Sequence, residues 1–193
     1  MAVSEYREIF EHYLTSTGRF GMDTLIEWLR STDFYTAPAS TAYHGNHAGG
    51  LLLHSLNVYR ALEELPKAFH RFTIPPESIA ITALLHDVCK IGCYHMDKRN
   101  RKNEDGKWES VPYWRYEDEW PMGHGEKSAI LLLKYISLTN EELAMIRWHM
   151  GQETSIYGRT DGFAQMAAVE PNIVALHIAD LYASFFMDAK PVK

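Results

Sequence analysis

The sequence predicts an all-α protein, a compact helical bundle with one small inserted β-hairpin, built as a single domain over 1–193. Three observations carry that expectation. Apolar residues recur three and four apart through most of the chain, the repeat of helices with one face in a core. Proline and glycine stand at the ends of those stretches. Over residues 94–122 the repeat breaks, and an Asp105-Gly106 turn separates two arms rich in aromatic and charged residues, which is a hairpin signal.

The elements follow in order. Residues 4–14 and 22–31 read as two short helices, and Thr36 to Gly50 as a loop rich in Ala, Pro, Ser, His and Gly. A helix from about Gly50 to Leu65 is stopped by Pro66. Pro75-Pro76 opens the next, which runs to about Lys90 with Gly92 as its stop. After the hairpin, helices are expected at 124–137 and 140–149, the second announced by a Thr139-x-x-Glu142 capping box and closed by Gly151. Pro171 starts a last helix to about Met187.

Composition narrows the function classes. The 193 residues carry 19 Lys+Arg against 25 Asp+Glu, a net charge of −6, which argues against duplex DNA as a partner. No apolar run reaches the about 18 residues of a membrane span. The first residues, Met-Ala-Val-Ser-Glu-Tyr-Arg-Glu, lack the apolar stretch of a signal peptide, so a cytoplasmic protein is expected. Cys89 and Cys93 read as reduced, buried packing residues. The ten histidines are the feature that needs a reason.

Placed on the helices, these histidines sort into groups. His54 follows Gly49-Gly50, His86 and Asp87 are adjacent near a helix end, His124 opens a helix and His149 ends one. On the last helix Ile173, Leu176, His177, Asp180, Leu181 and Ser184 share one stripe, so Asp180 points to the core. A buried carboxylate must be paired, protonated or metal-bound. Inward His and Asp from several helices are how bundles build metal sites. Imidazole with carboxylate suits Fe, Mn, Co, Ni or Zn better than Mg. Taken singly, each histidine is more readily a hydrogen-bonded core residue; taken together, with several buried polar groups lacking other obvious partners, they point to a metal.

The ordered pieces Ala48-Gly-Gly-Leu-Leu-Leu-His54-Ser-Leu-Asn-Val, Leu84-Leu-His86-Asp87-Val-Cys-Lys90-Ile-Gly and Leu176-His-Ile-Ala-Asp180 resemble the signature of the HD-domain metal-dependent phosphohydrolases. The resemblance spans about residues 36–187. The segment from Ala37 to Gly50 is similar to the catalytic domain of YhaM-type exoribonucleases. The strings Gly123-His124-Gly-Glu-Lys-Ser and Arg147-Trp-His149-Met-Gly match the places where YqeK-type di-iron hydrolases carry extra histidines. Met150 stands where some branches have a second histidine, which argues against a third metal.

The resemblance implies an HD-type helical bundle with two divalent transition-metal ions. One would be held by His54, His86, Asp87 and Asp180, and a second by His124 and His149 with Asp87 bridging. It implies hydrolysis of a phosphoester or phosphoanhydride by a metal-activated water. Asp87 would help to orient that water, and Lys90 would neutralise phosphate charge. The substrate class is a nucleotide or other small phosphorylated molecule, and the family allows a homodimer. His44, His47 and Arg159 are candidate phosphate contacts, and His177 a candidate to orient a ligand by a hydrogen bond. His12, His70 and His95 are read as surface or packing residues. On the hairpin, Lys98, Arg99, Arg101, Lys102 and Lys107 with Trp108 or Trp114 could select substrate, or could be a solvated face.

Two other functions stay open at this level. A 3′→5′ exonuclease on single-stranded RNA or DNA fits the local match, although the acidic balance opposes polyanion capture. A non-catalytic nucleotide or metal sensor would keep the fold and bind without turnover.

Overall fold

A computed structural model describes residues 3–151 and 162–188 of the chain. Among the described residues there are eight α-helices and one antiparallel pair of strands. In chain order they are α1 (Val3–Ser16), α2 (Met22–Arg30), α3 (Gly50–Ala68), α4 (Pro76–Leu85), β1 (Tyr94–Lys102), β2 (Trp108–Tyr116), α5 (His124–Leu132), α6 (Asn140–Trp148), α7 (Phe163–Val169) and α8 (Asn172–Tyr182). The mostly helical expectation holds, and the paired strands begin at the expected Tyr94 and end at Tyr116.

The centre of the fold is α4. Every residue from Ser78 to Leu85 is buried, as befits a helix apolar on all sides. Helices α1, α3 and α6 pack around it, and α8 lies against both α3 and α6. Ile81, Ala83, Leu84 and Leu85 join Leu51, Leu52, Leu56, Met145, Ile146, Ile173 and Leu176 in one apolar cluster. Burial on that scale supplies roughly 2 kcal/mol for each large aliphatic side chain before conformational entropy is set against it.

Polar contacts lock the packing at two places. Thr139 and Glu142 form the expected capping box at the start of α6, each side chain taking the other's backbone N–H. The Glu142 carboxylate also receives both Nη atoms of Arg19, at 2.8 and 2.9 Å, and the Ser78 hydroxyl at 2.9 Å. One buried carboxylate thereby ties the start of α6 to α4 and to the turn before α2.

Boundaries differ from the sequence reading where local rules compete with the site. Helix α3 runs to Ala68, because Pro66 falls in its last turn and costs one backbone bond rather than the helix. Helix α4 ends at Leu85 instead of near Lys90; His86 caps it, and Val88–Lys90 form a separate 3₁₀ turn. Helix α5 stops at Leu132, and the last helix passes at Ala183–Met187 into a wide π turn. Helix α7 forms where the sequence predicts only a connection between α6 and the last helix.

The hairpin pairs Tyr94 with Tyr116 and Lys102 with Trp108 at its two ends. Its turn is closed by Asn103 N–H to the Lys107 carbonyl and Gly106 N–H to the Asn103 carbonyl, each at 2.9 Å. Eight of the nine β1 residues are exposed. Only its base meets the helices: Tyr94 is buried and Trp114 packs against the core.

Candidate metal centre

The site forms where the ends of four helices meet. His54 comes from the first turns of α3, His86 caps α4 and Asp87 follows it, His149 caps α6, and Asp180 lies on α8. His54, His86, Asp87 and His149 are all at most 2% exposed. Close helix approach makes this possible. A Cβ on Gly125 of α5 would lie 2.2 Å from the Arg147 carbonyl oxygen of α6, so only glycine lets the two helices come together. That contact brings the His124 and His149 rings to 6.4 Å between centroids.

Asp87 is the hub. Its Oδ2 lies 3.4 Å from His86 Nε2 and 3.7 Å from His54 Nε2, and its Oδ1 lies 3.6 Å from His149 Nε2. His54 Nε2 is also 3.1 Å from Asp180 Oδ1. Lys90 Nζ sits 2.6 Å from Asp87 Oδ2 and donates to the Ala39 carbonyl at 2.9 Å. Burial pushes the Asp87 carboxyl up, but the Lys90 ammonium and then His86 and His149 hold it well below the usual carboxylate range. Asp180 is likewise held low, burial being outweighed by its hydrogen bond to His54. For His54 burial favours the neutral ring, and the hydrogen bonds to Asp180 and Asp188 overcome this and raise it to about 9.

Whether these residues suit a metal ion is decided by His86 and His149. Each directs Nδ1 at a backbone carbonyl, Ala83 at 2.8 Å and Ile146 at 2.7 Å. A carbonyl only accepts, so in each ring Nδ1 carries a proton and Nε2 is the nitrogen turned to the Asp87 carboxylate, able to give a lone pair to a metal once it is deprotonated. Burial lowers the His149 ring, and its contact with Asp87 outweighs this and raises it. Both Nε2 atoms are buried without a hydrogen-bond partner and face the Asp87 carboxylate. Unpartnered buried nitrogens beside a carboxylate are costly unless a cation lies between them. His54, His86 and Asp87 offer ligand atoms all within 4.8 Å of one another, as do His86, His149 and Asp180, and also Asp87, Cys89 and His124. These buried His/Asp clusters could hold a metal ion. The donor set of imidazoles and carboxylates suits a first-row transition metal.

A cavity of about 640 Å³ opens on this cluster, lined by Asp87, Lys90, His124, Asp180, His44 and Ser184 and by the apolar Tyr43, Met150, Leu181 and Phe185. That volume suits a small organic ligand. His44 reaches the cavity, with its Nε2 3.4 Å from Ser184 Oγ. His47 does not; it lines a separate cleft with Gly45, Asn57 and Asp188. His177 donates to the His149 carbonyl at 2.7 Å, so it bears on the backbone of a candidate ligand rather than on its ring. Lys90 is buried against Asp87 rather than solvated at a helix end. Leu181, expected on the inward stripe, is 45% exposed and faces the cavity. Arg159 lies outside the described residues. His12, His70 and His95 are exposed.

Two neighbours of the site went unnoticed in the sequence. Cys89, read as packing, is buried with its thiol 4.0 Å from Asp87 Oδ1, and burial with the Asp87 charge pushes it up to about 12. Asp188 bonds the far nitrogen of His54 at 2.8 Å. Cys89 had a signal in its position two residues after Asp87; Asp188 had none, since the helical repeat does not carry it to the site.

Comparison with protein-family models, with curated proteins and with solved structures found no significant match.

Proposed function

We propose that the chain is a metal-dependent phosphohydrolase of the HD type, acting on a nucleotide or other small phosphorylated substrate. The observation that carries this reading is the pair of buried, unpartnered Nε2 atoms of His86 and His149 turned on Asp87, at the foot of an open cavity. His54, His86, Asp87 and Asp180 would hold one divalent ion, and His124 and His149 a second with Asp87 between them. Such ions supply Lewis acidity towards water and phosphoryl oxygens.

The chain's own residues account for the rest of the chemistry. Asp87 is anionic at neutral pH, because Lys90 and the histidines hold its carboxyl low. It can therefore accept a hydrogen bond from a water and aim it at phosphorus. Lys90 keeps that carboxylate charged and fixed by its contacts with Asp87 and the Ala39 carbonyl. His44 and Ser184 line the cavity beside Asp180 and can donate to phosphoryl oxygens. The apolar Tyr43, Leu181 and Phe185 offer a surface for a base or other uncharged part of the substrate.

A hydrolysis screen of the purified protein with added Mn, Fe, Co, Ni or Mg tests the reading. It should cover nucleoside mono- and triphosphates, dinucleoside polyphosphates, cyclic dinucleotides and short RNA. Turnover that requires a transition metal and is lost in Asp87→Ala is expected; full activity of that variant refutes the scheme. Binding of nucleotide without turnover under every metal would indicate a sensor.

One observation favours the exonuclease as the second reading. The hairpin begins at Tyr94, four residues after Lys90, and carries the exposed Lys98, Arg99, Arg101, Lys102 and Trp108. Basic and aromatic residues together suit a single strand. Processive shortening of a single-stranded oligonucleotide, with activity falling steeply in salt, would select it.

A further inference from the structure

Asp188 is a buried carboxylate with a definite partner and no place in the chemistry above. It is 9% exposed. Its Oδ2 lies 2.8 Å from His54 Nδ1, and its Oδ1 accepts from Asn57 Nδ2 at 2.9 Å. Asn57 stands three residues after His54, on the same face of α3. Both carboxylate oxygens are therefore held from one helix.

The backbone is arranged to deliver this side chain. A regular α-helix would carry Asp188 about 12 Å along the axis from Asp180. Instead α8 passes into the π turn Ala183–Met187, the Asp188 N–H bonds the Ala183 carbonyl at 2.9 Å, and the chain leaves the helix at Asp188. Wide turns of this kind are uncommon and concentrate at functional sites. Here the result is that two carboxylates from one C-terminal stretch address the two nitrogens of one imidazole: Asp180 at Nε2 and Asp188 at Nδ1.

His54 is thereby distinguished from the other two buried rings. His86 and His149 direct Nδ1 at neutral backbone carbonyls, whereas His54 has a carboxylate there. We propose that Asp188 is a positioning residue for the metal centre: it accepts the His54 Nδ1 proton, fixes the ring with Nε2 towards Asp87 and Asp180, and strengthens that nitrogen as a donor to a divalent cation. The inference rests on the metal-site reading. A carboxylate behind a metal-bound imidazole orients the ring and raises its basicity, an arrangement whose loss weakens metal binding about 10–100-fold. Asn57 contributes by keeping the carboxylate from turning away. The three histidines are then unequal, and His54 is the anchor that the remaining ligands complete.

The test measures metal affinity rather than turnover. Wild-type protein, Asp188→Asn and Asn57→Ala are titrated with Co²⁺ and with Mn²⁺ against a competing chelator. Thermal unfolding of each metal-free protein is followed in parallel. Asp188→Asn is expected to bind the tighter ion about 10–100-fold more weakly, with a changed Co²⁺ absorption spectrum. It is expected to stay cooperatively folded without metal at the temperature of the titration, although loss of the His54–Asp188 pair lowers its unfolding temperature. Asn57→Ala is expected to lose affinity in the same direction by less, and it carries the comparison if Asp188→Asn does not fold. Wild-type affinity and spectrum in both variants would overturn the role of Asp188 while leaving the metal site intact. A loss of affinity accompanied by an equal collapse of the metal-free fold would also overturn it, making Asp188 a structural residue. A wild-type protein that binds neither ion would remove the metal reading itself.

Discussion

Lys90 Nζ lies 2.6 Å from Asp87 Oδ2, with both residues buried and only two others between them in the chain. This ammonium is the fixed positive charge that keeps the hub of the site ionised. Breaking a buried pair by deleting one member strands the other, which costs about 3–5 kcal/mol. Lys90→Met is therefore expected to lower the unfolding free energy of the metal-free protein by about 3 kcal/mol. A divalent cation would take over part of that compensation, so metal should raise the unfolding temperature more in the variant than in the wild type. Calorimetric scans with and without Mn²⁺ check both halves. A variant as stable as the wild type without metal would show that Asp87 does not depend on Lys90.

His54 should make metal uptake at the proposed site depend on pH. Raised to about 9 by Asp180 and Asp188, the ring is cationic at neutral pH when no metal is bound. A metal ion must displace its Nε2 proton. Affinity should rise by about tenfold per pH unit between pH 7 and 9, and then level off. Stability of the metal-free protein should move the opposite way. The folded value lies above the unfolded 6.5, so this contribution is complete below pH 6.5 and is lost as pH rises through about 9. Titration calorimetry in two buffers of different ionisation heat would count the released proton. A pH-independent affinity would mean that His54 is not a ligand.

Glu142 produces the opposite pH signature, outside the candidate metal site. Burial pushes its carboxyl up, but Arg19, the Thr139 backbone N–H and Ser78 hold it below the ordinary 4.5. A depressed carboxylate stabilises the fold above its unfolded value and loses that effect as pH falls through the folded one. Glu142→Gln should cost about 3 kcal/mol at pH 7. The difference from the wild type should shrink as the wild-type carboxylate is protonated below pH 4.5. Urea unfolding at pH 7, 5 and 3 would measure it, and a constant difference would contradict it.

Which of these features the sequence announces follows from the range of the rule that places them. The Thr139–Glu142 capping box is a four-residue pattern, and it forms as read. His86-Asp87 is legible as a candidate pair because adjacency is written in the chain. The end of α4 is not, because the turn at His86 and Asp87 answers to contacts with His54 on α3 and His149 at the end of α6. The sequence does not distinguish His44 from His47, since a loop has no repeat to say which side chain faces the cavity; the structure takes His44 there and His47 elsewhere. Helix α7 is seven residues long, too short for a repeat to declare itself. Asp188 depends on a π turn, and a reading based on 3.6 residues per turn sends it to the wrong place.

The Gly125–Arg147 contact offers a way to separate the two proposed ions. Because a Cβ at Gly125 would stand 2.2 Å from the Arg147 carbonyl oxygen, Gly125→Ala must push α5 away from α6. Overpacking of this kind costs about 1–3 kcal/mol. His124 opens α5 and His149 caps α6, so the same displacement widens the gap between the two histidines assigned to the second ion. His54, His86, Asp87 and Asp180 lie on other elements and should keep their geometry. The expected variant is folded, somewhat less stable, and binds one ion tightly with the second weakened or lost. Metal stoichiometry by elemental analysis after gel filtration, alongside thermal unfolding, reads both effects. Two tightly held ions in a folded Gly125→Ala protein would show that His124 and His149 do not act together. Loss of both ions from a folded variant would show that the two sites share more than Asp87.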